Sequence, residues 1–490
     1  MNELTSLGFQ GSAHTEHFII LLKIFTAASL VLVTLGIIDR SLSYKDGLPL
    51  VNRRFALEPR LFSRFRWALR SKQILNDAHA KYWDRPYRLS RGDTDMIVFP
   101  NHYISQLNAL PLSSRRYHSR SMIGHLNGLD AVNATNYHVK IMLSRLTPAL
   151  PALLVPIRGR IQSTMMKVFP QSTKEWTELE PINKVVQCMS EAVTFVTFGP
   201  PMLPTFLQPL LVWLLPYKWR LEKSWKTLEE FVVPEAEYRK QDPENRCNNP
   251  DLISWMITDA KNDYERDPVV LTRLIGAVIA GGTYSTSVFI MGVISNLVEH
   301  PHYFQEIRDE IREMQEKVRG NWDFAAFNAL DKLDSAMKET SRLAPGSLLV
   351  YSREVQEDCA LSSGLHLHKG QMITTSGYSR AMDPGMFPDP LKFDALRAYD
   401  KDLDRHRAQP FRSVNEAEDY RWGAGRWACP GRFVASIVAK TILVKLLDEY
   451  EFKFVQGKRP PTHVLHEFVF MSPQSRILMR RREKNSGIVY

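Results

Sequence analysis

The sequence predicts a mainly α-helical chain with one small β-region, and three observations carry that expectation. Residues 268 to 299 are apolar, with little to break a helix besides Gly276, Gly281, Gly282 and Gly292, so they read as one long buried helix. Residues 432 to 447 follow a glycine-rich turn, and Val434, Ile437, Val438 and Ile442 recur there at helical spacing. Residues 348 to 373 carry β-branched, alternating stretches that end in Lys369-Gly370, which reads as strand. The 29 prolines are scattered, as many short connections between helices require.

The 490 residues are 44% hydrophobic, ample for a large core. At 24% charged residues, with no long low-complexity tract, wholesale disorder is excluded. A net charge of +10 suits an anionic membrane surface or an acidic protein partner. No zinc-finger spacing, aromatic-basic RNA motif or basic heptad helix is present, so no nucleic-acid partner is expected, and Arg480, Arg481 and Arg482 read as a solvated run. Cys188, Cys247, Cys359 and Cys429 form no CxxC pair and are too few for a disulfide framework. The catalytic part is therefore expected in a reducing compartment.

Residues 18 to 38, FIILLKIFTAASLVLVTLGII, have about the length a helix needs to cross the hydrocarbon core. Lys23 lies near one end, where it can snorkel to the interface. The leader holds Glu3 and Glu16 but no lysine or arginine, unlike a cleaved signal. Positive charge follows instead, at Arg40, Lys45, Arg53, Arg54 and Arg60, which places the bulk of the chain in the cytosol. The expected order is a lumenal N-terminus (1–17), a transmembrane anchor (18–38), a linker (39–52) containing the stiff stretch Gly47 to Asn52, and a catalytic domain (53–490). The alternative reading of 18–38 is a buried helix of a soluble fold.

Residues 422 to 433, WGAGRWACPGRF, set one cysteine among three glycines and a proline, just before a helix. Glycines let a backbone approach a flat cofactor closely. A thiolate ahead of a helix start is stabilised by free N–H groups and the helix dipole. As an axial ligand to haem iron it favours O–O cleavage. The alternative is an inert buried cysteine beside a tight turn.

This segment resembles the cysteine loop of the cytochrome P-450 superfamily, F-G-x-G-x-(H/R)-x-C-x-G. Gly423, Gly425, Cys429 and Gly431 match, and Pro430 is common there. Trp422 replaces the usual phenylalanine, and Trp427 replaces the His or Arg that contacts a haem propionate. Trp427 can donate one hydrogen bond but brings no charge. Further blocks agree in order and spacing. Lys338 to Arg342, KETSR, resembles the family's E-x-x-R helix, and DPLKFDALRAY (389–399) resembles the segment supplying a second arginine. Glu339, Arg342 and Arg397 would form the buried charged triad beside the loop. Arg353 stands at a propionate-arginine position, and Pro345 to Leu349 would border the substrate pocket.

Gly281 to Thr286, GGTYST, aligns with the oxygen-activation motif, (A/G)-G-x-(D/E)-T-(T/S). Ser285 takes the alcohol position, Thr286 could assist, and Tyr284 occupies the acid position with an unperturbed pKa of about 10. The resemblance implies the cytochrome P-450 fold, a single large domain. It covers about residue 45 onward, with a stretch of pocket roof expected to be missing between Phe198-Gly199-Pro200-Pro201 and the apolar run 206–215.

By resemblance to fungal secondary-metabolism members, the expected function is a haem-thiolate monooxygenase of the endoplasmic reticulum. It would insert one oxygen atom from O2 into an apolar substrate, a terpenoid or other secondary metabolite. An NADPH-dependent flavin reductase would supply electrons, since the chain leaves no room for a flavin domain after the cysteine helix. Two rivals are a haem-thiolate isomerase or dehydratase, favoured by Tyr284, and a non-catalytic haem-binding membrane protein, favoured by the shortened middle.

Overall fold

The computed structural model describes residues 46–92, 94–113, 128–189, 216–241, 251–399, 409–414 and 420–490, with some helical residues between 23 and 38. The leader, most of the apolar segment 18–38, Cys247 and residues 190–215 lie outside the described residues. Named helices are α1 (Arg60–Tyr82), α2 (Thr147–Val168), α3 (Pro216–Gln241), α4 (Pro268–Glu299), α5 (Pro301–Val318), α6 (Asp331–Leu343) and α7 (Arg432–Glu449). Named strands are β1 (Tyr87–Arg91), β2 (Thr94–Phe99), β3 (Leu112–Ser113), β4 (Thr177–Leu179), β5 (Leu349–Val355), β6 (Met372–Ser376), β7 (Tyr450–Phe454), β8 (Thr462–Leu465), β9 (Phe468–Met471) and β10 (Ile477–Arg481).

Helix α4 starts where the sequence places it. Pro268 fills the first helical position, where its missing N–H costs nothing, and the Asp267 side chain accepts the Val269 N–H at 2.8 Å. Gly276 admits the Trp225 ring of α3, since a Cβ there would stand 2.4 Å from that ring. The C-terminal half of α4 joins α5, α6 and α7 in the largest core cluster, around Ile290, Ile294, Leu333, Met337, Ile442 and Leu446. Tyr137–Val168 and α4 are both long and apolar enough to cross a membrane by length and composition, but α4 is packed between other helices as a core element.

Helix α7 is buried on every side along its second half, so its lysines need partners. Lys440 pairs with Asp334 at 2.6 Å, and Lys445 pairs with Glu449 and donates to the Ile488 carbonyl. Burial works against an ionised Asp334, yet the Lys440 charge holds its carboxyl below the usual range.

The β-region is larger than residues 348–373. A five-stranded sheet runs β1-β2-β6-β5-β3, with β2 parallel to β6 and the other pairs antiparallel. Strands β4, β10 and β7 form a second sheet, and β8 and β9 a hairpin. The stretch expected as a connector is docked on the first sheet: Val51 N–H donates to the Arg88 carbonyl at 2.9 Å, and Arg88 N–H to that of Pro49 at 2.8 Å. Asp46 also pairs with the Arg88 side chain, so the packed domain reaches back to residue 46 rather than starting at 53. An unpaired sheet edge satisfies its amides with whatever chain lies beside it.

Candidate active site

The cysteine loop is built by two left-handed turns that glycine alone adopts cheaply. Gly423 has φ +78° and Gly425 φ +61°. At Gly425 a Cβ would also stand 2.8 Å from Asn108 Oδ1, the atom that accepts the Tyr351 hydroxyl at 2.7 Å. The Cys429 N–H donates to the Trp422 carbonyl at 2.7 Å, closing the loop just ahead of α7. Beside it, a Cβ on Gly431 would lie 3.9 Å from Cys429 Sγ and 3.4 Å from Met142 Cε.

Burial pushes the Cys429 thiol above its ordinary range. The Gly431 N–H, the Arg432 charge and the Arg432 N–H all pull the other way, and burial prevails. The amides expected to favour a thiolate are thus in place, but burial outweighs them. Burial also raises the Cys188 and Cys359 thiols, and the Asp358 charge raises Cys359 further. No cluster of three or more His, Cys, Asp or Glu suited to a metal occurs among the described residues. A single thiolate facing a cofactor-borne metal is compatible with that arrangement.

Ser285 lies on the one face of mid-α4 that the core leaves open. Gly281, Gly282 and Ser285 are exposed where their neighbours on the helix are buried or half-buried, and a Cβ at either glycine would meet nothing within 4 Å. Four residues on from Ser285, on the same ridge, the Phe289 ring stacks on Phe411 at 5.1 Å, and Phe411 meets Trp422 at 5.2 Å. The open face therefore runs toward the cysteine loop. The Ser285 hydroxyl donates to the Gly281 carbonyl at 2.8 Å. Thr286 is buried and is not brought to that face. Tyr284 turns away as well, its hydroxyl donating to the Met471 carbonyl at 2.9 Å, and burial raises its pKa.

Glu339 is the hub of the charged group. Arg342 grips it with a fork, Nε to Oε2 at 2.8 Å and Nη2 to Oε1 at 2.7 Å, and Arg397 Nε reaches Oε1 at 3.1 Å. Remaining guanidinium protons go to backbone carbonyls: Arg342 Nη1 to Ala381 and Pro390, and Arg397 Nη1 to Pro388, each at 2.7 Å. Such saturation is the condition for tolerating buried charge.

A cavity of about 300 Å³ is lined by Pro345, Ser347, Leu349, Arg353, Arg421 and Trp427, among others. Arg353 is buried, with its guanidinium over the Tyr351 ring at 4.5 Å and 5.9 Å from the Trp427 ring. The cation that Trp427 does not supply is thus present close by. Sequence reasoning missed Asn108, Tyr351 and Arg421. Tyr351 has a left-handed backbone, φ +55°, which no local motif announces. The glycine cradle at Cys429, the open helix face and this basic, aromatic edge fit a flat, anionic-edged cofactor.

Comparison with known proteins agrees. Residues 160–480 match the family model described as Cytochrome P450. Cytochrome P450 monooxygenase AN1598 of Emericella nidulans is 28% identical over an alignment covering 94% of this chain and 92% of the relative. Cytochrome P450 monooxygenase olcJ of Penicillium canescens is 27% identical, covering 94% and 93%. The first alignment spans 499 positions, more than the 490 residues present, so that relative carries residues with no counterpart here. The crystal structure of a cytochrome P450 (CYP102L1) superposes with a TM-score of 0.67 over 89% of this chain and 99% of that one, at 16% identity. The chain belongs to the cytochrome P450 family, whose members are haem-thiolate iron enzymes.

Proposed function

We propose that this protein is a membrane-anchored monooxygenase that inserts one oxygen atom from O2 into an apolar secondary metabolite, a terpenoid in the first instance. The observation that carries this reading is the Cys429 loop, with its glycine cradle, amide donors and neighbouring Arg353–Trp427 edge. Haem iron, when bound, supplies the reductive activation of O2. The chain's own residues would hold that group: Cys429 Sγ would ligate the iron, Gly425 and Gly431 would let the loop backbone lie close beside it, and Arg353 and Trp427 would hold its propionates. Pro345 to Leu349 offer a mostly apolar wall to the substrate. Ser285 Oγ, whose own proton is bonded to the Gly281 carbonyl, would accept a hydrogen bond at the open face of α4. The basic surplus suits docking to the acidic face of an NADPH-dependent flavin reductase.

The test is incubation with such a reductase, NADPH and 18O2 over a terpenoid panel in microsomes. One 18O atom per product supports the reading, while product formed without NADPH points to isomerase or dehydratase chemistry. That second reading is favoured by Tyr284, whose hydroxyl is already committed to Met471. If Ser285 carries the proton, Ser285→Ala lowers product formation by about 10²-fold. Thr286→Val, altering a buried side chain, changes it little, as product per NADPH consumed would show.

The anchor reading rests on length and exposure. Leu30, Val31, Val33, Ile37 and Ile38 are helical and exposed, and the Thr34 hydroxyl bonds back to the Leu30 carbonyl at 2.8 Å. Deleting residues 1–38 is expected to shift much of the protein from the carbonate-washed membrane pellet into the supernatant. Retention of the full amount in the pellet would refute the anchor. A protease added to sealed microsomes should degrade the catalytic domain if it faces the cytosol.

A further inference from the structure

Trp422 stands where phenylalanine is usual, and its indole makes a bond that phenylalanine has no donor for. Its Nε1–H donates to the Phe411 carbonyl at 2.6 Å. Phe411 is itself fixed: its N–H donates to Asp334 Oδ2 at 2.6 Å, and its ring stacks on Phe289 of α4. Asp334, on α6, is held by Lys440 of α7 at 2.6 Å, and both side chains are almost wholly buried, at 3% and 1% exposure. The Trp422 carbonyl then accepts the Cys429 N–H at 2.7 Å. One residue is therefore bonded through its side chain to the α6–α7 core and through its backbone to the cysteine.

On the other side of the cysteine, Arg432 Nη1 donates to the Cys429 carbonyl at 2.8 Å. Gly423, Ala424, Gly425 and Ala428 have no side chain able to hydrogen-bond, and the two glycines take backbone conformations with little intrinsic preference. Gly425 is braced sterically by Asn108.

We infer that Trp422 is a positioning residue that hangs the Cys429 loop from the buried Lys440–Asp334 pair, setting where Sγ stands relative to α4 and α7. The inference gains its functional meaning from Cys429 as the iron ligand, but its central test does not depend on haem. Trp422→Phe keeps an aromatic ring beside Phe411 but removes the N–H donor along with the second ring of the indole. Asp334 and Lys440 keep each other, so no charge is left buried alone.

The experiment is hydrogen–deuterium exchange by mass spectrometry on the full chain, wild type against Trp422→Phe, reading the peptide 420–431 beside peptides of α4 and α7. Loss of one hydrogen bond is expected to speed exchange in the loop peptide by about fivefold while the helices stay unchanged. In the haem-loaded protein, the red-shifted carbon monoxide band should then decay about fivefold faster on mild heating. Unchanged loop exchange overturns the inference. Equal acceleration in α7 does so too, because it reports a general loss of stability rather than a local tether. Failure of the Cys429 assignment would show separately, as a wild type without the red-shifted band but with the same exchange contrast.

Discussion

Cys429→Ala is expected to give a folded protein that shows no red-shifted Soret band when reduced under carbon monoxide, with NADPH-dependent product formation at background. The two halves of that result have different physical origins. Removing one sulfur from a half-buried site leaves a small void, costing about 1–2 kcal/mol at most by the scale of core truncations. The loop's own bonds, from Cys429 N–H to Trp422 and from Ala428 N–H to Gly425, are backbone bonds that alanine keeps. The chemistry has no such reserve. Burial holds the thiol above its ordinary range, and the neighbouring amides and Arg432 only partly offset this, so a thiolate there would need the added charge of a bound cation. Without sulfur, the electron donation that favours O–O cleavage is gone. The checks are a carbon monoxide difference spectrum beside a circular dichroism melt. A wild-type-like band in the variant would remove Cys429 from the role of ligand, and a collapsed melt would make it a core residue.

Glu339→Ala is expected to cost about 3–5 kcal/mol, the penalty for removing one partner of a buried charged group. Glu339 and Arg342 are 2% and 4% exposed at their side chains, and Arg397 is 16% exposed. Losing the carboxylate leaves two guanidinium groups facing each other across a site from which water is largely excluded. Against a typical domain stability of about 5–15 kcal/mol, that is a large fraction. Arg342→Lys should also fall well short of wild type, since an ammonium cannot reproduce the fork to Glu339 together with the bonds to Ala381 and Pro390. Arg397→Ala should cost least of the three, its site being the wettest. Guanidinium denaturation midpoints would check the order, and a Glu339→Ala midpoint equal to wild type would mean that the group is decorative. The same segments frame the cysteine loop, so recovered holoprotein should fall in the same order.

Some elements were legible because their signals are local. The bounds of α4 follow from an aspartate cap, a proline and an apolar run, all contiguous in the chain. The cysteine turn follows from glycines placed where the backbone must be left-handed. Helix α6 carries Glu339 and Arg342 three residues apart, close enough to meet on one face whatever surrounds them. The side chains that fix the loop's position were not legible. The bond from Phe411 to Asp334 spans 77 residues, and that from Tyr351 to Asn108 spans 243. No pattern within a helix or strand encodes such pairings. Lys440 did leave a trace, as a lysine in a helix that is otherwise apolar on that side, and burial turns that oddity into a partner for Asp334.

The oxygen-activation segment shows the same division. Its spacing put Tyr284, Ser285 and Thr286 in consecutive positions without deciding which of them faces the open side. A helix turns its side chains by about 100° per residue, so neighbours must part company. Packing then chose: Tyr284 went to Met471, Thr286 into the core, and Ser285 to the face beside Gly281. The sequence by itself determined the helices, the turn and the single cysteine, because each depends on backbone preferences and near neighbours. Only the tertiary structure decided which side chains share a site, because distant segments meet through burial, and burial leaves no periodic mark in the chain.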